Sequence, residues 1–190
     1  MAILSVLTRA VEARDPYTQG HAARVTALAE TVARGLGWSE ERLAGLRVGG
    51  PLHDVGKLAV SDAVLCKEGR LEEHELAEIR EHPKAGARLL LRVAALRVAI
   101  PYVLYHHERW DGGGYPSGRA GEQIPLEARV LAVADAFDAM TNDRPYRRAL
   151  SHAAALAEVE RCAGTQFDPR IAELFLELFD EAEMASAASA

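Results

Sequence analysis

Seven histidines and a few aspartates carry most of the chemistry this sequence offers. The histidines are His21, His53, His74, His82, His106, His107 and His152. Two of them are adjacent in "HHERWDGGGYP", residues 106–116, just ahead of three consecutive glycines. Another is paired with a carboxylate in "LHDVGK", as His53-Asp54. Imidazoles and carboxylates without thiolates suit a divalent transition metal, and they leave iron, manganese and zinc open. His74 and His152 fall at charged or capping positions of predicted helices and are expected to face solvent. The other five fall near element ends or beside Gly and Pro. A lone histidine such as His82 ordinarily fills a surface or core position, so the grouping carries the argument. Asp135 lies in "VLAVADAFDAM", where Ala and Val on both sides predict deep burial. A buried ionised carboxylate needs a cation, either an arginine or a metal.

His21, His53, Asp54, His82, His106, His107 and Asp135 show no short zinc-finger spacing, so several helices of a bundle would have to assemble them. Seven ligands exceed what one tetrahedral ion takes, which makes two ions the natural count, with Asp54 as the bridge. Two metals about 3.5–4 Å apart activate a bridging hydroxide and steady both oxygens of an in-line phosphoryl displacement. The cations nearby suit that chemistry. Lys57 lies one turn beyond His53, and Arg144 and Arg147 in "NDRPYRRAL" could clamp a phosphate bidentately. The plainer alternative is a surface lysine and two solvated loop arginines.

The elements that must position these residues are helical. Ala, Leu, Glu and Arg dominate, and apolar residues recur at helical spacing with no strand alternation. A first helix is expected from Ala2 to Arg14, and a second, capped by Thr18, to about Leu36. Ser39 caps a third that leads into "PLHDVGK". A linking stretch from Lys57 to Arg70 precedes the charged helix of "LEEHELAEIREH". Pro83 opens the next helix, and an apolar one follows from Ala94 to Tyr105. Residues Asp111 to Pro125 form a long Gly/Pro-rich loop. "LEARVLAVADAFDAMT" should be the central helix, and Ser151 and Asp168-Pro169 open the last two.

Bulk composition bounds the rest. The 190 residues, 49% of them hydrophobic, fit one all-α helical-bundle domain, residues 1–183, with a disordered tail over 184–190. A net charge of −6 argues against a DNA or RNA binder and leaves a small anionic ligand open. Cys66 and Cys162 form no CxxC pair and are expected as reduced thiols. No apolar run reaches transmembrane length, and the N-terminus lacks the basic flank of a secretory signal. A cytoplasmic domain without a membrane segment is the expectation.

Taken together, "LHDVGK", "HHERWDGGGYP", "IPLEARVLAVADAFDAMTNDRPYRRAL" and "GTQFDP" resemble the HD-GYP family of bacterial signalling phosphodiesterases, and "ARDPYTQGHAARV" fits the same pattern. The likeness runs from about residue 5 to 180. It implies a metal-dependent hydrolase of cyclic di-GMP, in which a metal-bridging hydroxide attacks the phosphate to give pGpG and, in many members, GMP. It implies a first ion on His21, His53, Asp54 and Asp135. The second would share Asp54 and add His82, His106 and His107, with iron or manganese as the metals. Lys57 would contact the scissile phosphate, and Arg144 and Arg147 the substrate phosphates. Gly114, Tyr115 and Pro116 are the naming motif, a loop implicated in contacts with diguanylate cyclase (GGDEF) partners, and a homodimer is a further expectation. The sequence departs from the family in two places. Tyr17 stands where some members carry a glutamate for a third ion, so two metals are expected; Cys66 and Glu68 in "CKEG" replace the usual Asn and Pro. The alternatives are a phosphohydrolase of another cyclic dinucleotide or nucleotide, and a non-catalytic cyclic di-GMP receptor or scaffold.

Overall fold

The structure, a computed structural model, describes residues 2–15, 19–67, 69–143 and 148–187. Tyr17, Thr18, Glu68, Arg144 and Arg147 therefore lie outside the described residues. The described residues are helical, with no strand beyond one isolated bridge between Ala163 and Phe167. The α-helices in chain order are α1 (Ala2–Arg14), α2 (His21–Gly35), α3 (Glu40–Leu52), α4 (Asp62–Leu65) and α5 (Glu73–Arg80). They continue with α6 (His82–Leu91), α7 (Ile100–Tyr105), α8 (Leu126–Thr141), α9 (His152–Arg161) and α10 (Pro169–Ala187).

Helix starts follow local chemistry. Ser39 accepts a hydrogen bond from the Arg42 amide, and Glu40 and Glu41 sit in the positive first turn of α3. Ser151 caps α9 in the same way through the Ala154 amide. The second helix starts later than expected, at His21. Gly20 occupies its N-cap with φ 70°, a left-handed conformation that glycine adopts without strain. The expected apolar helix from Ala94 to Tyr105 is divided into a 3-10 turn, Ala94–Ala99, and α7, because Pro101 belongs in a first helical turn and not in an interior. The expected linker after Lys57 holds structure too: a 3-10 turn, Val55–Ala59, and the short α4.

As expected, α8 is central. Val130, Leu131, Val133, Ala134 and Phe137 are all buried, packed with Val25 and Val32 of α2, Leu46 of α3, Tyr102 of α7, Val159 of α9 and Phe175 of α10. A smaller apolar cluster joins Leu52, Val55, Leu90, Leu96, Ala99 and Val103, and it fixes α3, α6 and α7 around the Val55–Ala59 turn. That turn meets α6 at a point with no room for a side chain. A Cβ on Gly56 would collide with the His82 carbonyl oxygen and lie 2.6 Å from the Gly86 amide nitrogen. Both obstacles are backbone, so neither can swing aside.

Gly56→Ala is therefore expected to cost about 3–5 kcal/mol, at the top of the range for single substitutions. Gly164→Ala is the comparison, because Gly164 has φ 76° with nothing within 4 Å of a Cβ, and only the left-handed backbone resists it, at about 1–2 kcal/mol. Urea unfolding of the two variants beside the parent measures both.

Candidate metal centre

Helix ends deliver the imidazoles to one place. His21 is the first residue of α2, His53 the C-cap of α3, and His82 the first residue of α6. His106 is the C-cap of α7 with His107 next to it, and Asp135 projects from α8. Asp54 stands in the middle. Its Oδ1 lies 3.3 Å from His82 Nε2 and 3.9 Å from His106 Nε2, and its Oδ2 lies 3.5 Å from His53 Nε2. Two donor groups share it: His21, His53 and Asp54, and Asp54, His82, His106 and His107, with donor atoms within 4.8 Å of one another in each. Asp135 stands outside those groups and approaches through His21, with 3.2 Å between its Oδ1 and His21 Nε2.

Hydrogen bonds behind the rings fix the tautomers. His53 Nδ1 donates to the Gly50 carbonyl at 2.7 Å, His82 Nδ1 to Ile79 at 2.8 Å, and His106 Nδ1 to Tyr102 at 3.0 Å. A carbonyl only accepts, so each Nδ1 carries the proton and each Nε2 presents a lone pair inward. The consequence is electrostatically costly. His82 Nε2 and His106 Nε2 face each other at 3.4 Å, and His53 Nε2 is buried with no hydrogen-bond partner. Converging lone pairs around a carboxylate fit divalent cations, and the donor set matches a metal centre.

Charge states agree. Burial and the neighbouring imidazoles hold His106 well below the usual histidine range, and burial takes His107 down to about 4, so both are in the neutral form that a metal ion requires of a ligand. Burial opposes the charge on Asp54, yet the Lys57 ammonium beside it outweighs burial and keeps the carboxylate ionised. His21 is the exception. Burial disfavours its charge, but bonds to Asp135 and Asp138 prevail and lift it to about 9.

Lys57 enters the centre from the 3-10 turn, with Nζ 2.8 Å from Asp54 Oδ2 and 3.2 Å from Asp15 Oδ2. Burial opposes its charge, but the two carboxylates raise its pKa and hold it as an ammonium. The end of α1 grips this turn twice. Arg14 donates to the Leu58 and Val60 carbonyls at 2.9 and 2.7 Å, while Asp15 takes the lysine itself.

Several placements depart from expectation. Asp135 is largely buried, with 17% of its side chain left exposed. A second carboxylate, Asp138, lies one turn later in "DAFDAM", with 4% of its side chain exposed. Its Oδ2 lies 2.7 Å from His21 Nδ1, and Arg24 grips both its oxygens at 2.6 and 3.1 Å. Sequence reasoning passed over Asp138, although its spacing of three from Asp135 was the available signal. Asp15, which ends α1 before a proline, was missed as well. His74 is exposed as expected, whereas His152 is half-buried with its edge on the Phe137 ring, 4.9 Å between centroids. The Gly114-Tyr115-Pro116 loop reaches the centre, where the Tyr115 ring stacks on His107.

A sequence profile of the HD domain family matches residues 5–171, and the chain belongs to that family. It is 45% identical over 175 residues to the cyclic di-GMP phosphodiesterase response regulator RpfG of Xanthomonas campestris pv. campestris, covering 91% of this chain and 46% of that protein. It is 37% identical over 181 residues to a cyclic di-GMP phosphodiesterase of Thermotoga maritima, covering 94% and 49%. The chain thus spans about half the length of these relatives. Among solved structures, a cyclic GMP-AMP specific phosphodiesterase of V. cholerae (V-cGAP3) superposes with a TM-score of 0.75 at 20% identity, over 99% of this chain and 50% of that one, which establishes the shared fold. Among the described residues, no helix is long and apolar enough to cross a membrane.

Asp138→Asn should lower metal affinity about 10–100-fold while leaving the helical content intact, since the second partner of a ligating histidine typically carries that much. Chelator competition followed beside circular dichroism checks both halves of this expectation.

Proposed function

We propose that this chain hydrolyses cyclic di-GMP to pGpG, the first product of the family, with two divalent ions, iron or manganese, held around Asp54. The observation that carries the reading is the convergence of His21, His53, His82, His106 and His107 on that one carboxylate, with Nδ1 of His53, His82 and His106 bonded to carbonyls so that their Nε2 atoms face inward. The first ion would take His21, His53, Asp54 and Asp135, and the second Asp54, His82, His106 and His107. The names of the relatives support the substrate.

The ions would acidify a water for attack and offset charge on the phosphoryl oxygens. The chain's own residues supply the rest. Asp54 remains ionised and so can serve both half-sites, and the Nδ1 bonds keep the imidazoles aimed. Lys57, held as an ammonium next to the shared carboxylate, stands ready for charge developing on the phosphate. Arg144 and Arg147 would bind substrate phosphates from the segment after α8. The loop at Gly114, Tyr115 and Pro116 would also meet diguanylate cyclase partners.

The direct test is turnover by metal-loaded protein. Cyclic di-GMP should be consumed with pGpG appearing first. No hydrolysis with either manganese or ferrous iron, or hydrolysis of 3′3′-cGAMP alone, would reject the assignment. Lys57→Ala separates chemistry from folding: it should retain both metals while the rate falls by roughly 10²–10³. Lys57→Arg should recover only part of that loss, because a planar guanidinium places its charge differently. Steady-state kinetics on metal-replete variants make the measurement.

A further inference from the structure

His107 is held differently from the other imidazoles of the centre. His21, His53, His82 and His106 each set Nδ1 against an acceptor, a carboxylate for His21 and backbone carbonyls for the other three. Among the described residues, no acceptor lies within hydrogen-bond reach of either His107 ring nitrogen. What fixes this ring lies on its faces and edges. The Tyr115 ring stacks on it, with centroids 4.8 Å apart and 27° between the planes, and His106 packs at 4.0 Å.

The loop is built to make that stack. The Tyr115 amide donates to the His107 carbonyl at 3.2 Å, which folds the chain back onto the ligand. A side chain on Gly114 would strike the Arg109 amide nitrogen and lie 2.6 Å from both Glu108 Cα and the His107 carbonyl oxygen, so the fold-back requires glycine. Beyond the tyrosine, buried Glu108 accepts from the Ser117 and Arg119 amides at 2.7 and 3.1 Å and ties down the far end of the loop. Arg80 of α5 stands over the Tyr115 ring at 5.6 Å.

We propose that Tyr115 is a positioning residue for His107, and that ring stacking does for this imidazole what a hydrogen bond does for the others. Without an acceptor behind it, a neutral imidazole is free to turn about its outer torsion and carry its lone pair off line. A flat neighbour on one face restricts that rotation. The role rests on the two-ion reading, because it places Tyr115 behind the half-site of Asp54, His82, His106 and His107. It needs the aromatic ring and not the hydroxyl.

The test is Mn²⁺ titration of the full chain with chelator competition, on the parent, Tyr115→Phe and Tyr115→Leu. Leucine fills the space without a face to stack. The expected result is two classes of ion in the parent and in Tyr115→Phe. In Tyr115→Leu one class should be weakened about 10–100-fold and the other unchanged. Thermal midpoints of the metal-free proteins should agree, which separates aiming of a ligand from loss of fold. Parent-like binding of both ions by Tyr115→Leu would overturn the proposal. So would an equal loss in Tyr115→Phe, which would move the role to the hydroxyl. If the parent takes up a single ion, the two-ion reading fails by itself. The same comparison then decides Tyr115 on that ion: loss with leucine and retention with phenylalanine uphold its role, and no loss with leucine ends it.

Discussion

One electrostatic conflict organises this molecule. Ring nitrogens that can only accept are brought together around an ionised carboxylate in a place from which water is largely excluded. His82 Nε2 against His106 Nε2 at 3.4 Å, and a buried His53 Nε2 with nothing to bond, are unfavourable in a protein considered alone. Low dielectric amplifies such clashes. Cations of the right size would turn that repulsion into coordination. Folding free energy is thereby invested in a site that repays it only when charged ions arrive, and metal binding should be linked to stability.

The bundle meets the geometric demand by using helix ends. A side chain in mid-helix points along a direction fixed by its register, whereas a first or last residue can be aimed by the turn beside it. His21 and His82 begin helices, while His53 and His106 end them. The carbonyls that orient three of these rings belong to residues three or four earlier in the chain, so each histidine is anchored by its own turn. The price of this economy falls on packing, where the Val55–Ala59 turn must touch α6 backbone to backbone at Gly56.

How far the sequence discloses this depends on whether a role is written in side chains. The helices were legible because apolar spacing and caps such as Ser39 and Ser151 are side-chain signals. The candidate ligands stood out as histidines gathered at element ends. What stayed hidden works through main chain or through space. The acceptors behind His53, His82 and His106 are carbonyls that any residue type supplies. Asp138 resembles any other helical aspartate until α2 is packed against α8 and His21 is laid on it. Asp135 is left slightly more exposed than Asp138, because hydrophobic neighbours in sequence do not say which face of α8 opens to the centre. His152 was misjudged for the same reason, since the Phe137 ring that covers it is distant in sequence.

The grip of α1 on the Val55–Ala59 turn bears on where the working unit begins. Arg14 holds the backbone of that turn, and Asp15 supplies the second anion that keeps Lys57 charged. A recombinant fragment started at α2 would retain every histidine, both α8 aspartates and the whole glycine-rich loop. It would still be a different object, with a loosened turn and an ammonium leaning on Asp54 alone. Boundaries chosen by counting metal ligands would therefore cut through the machinery, and the minimal unit has to include a helix that contributes no ligand at all.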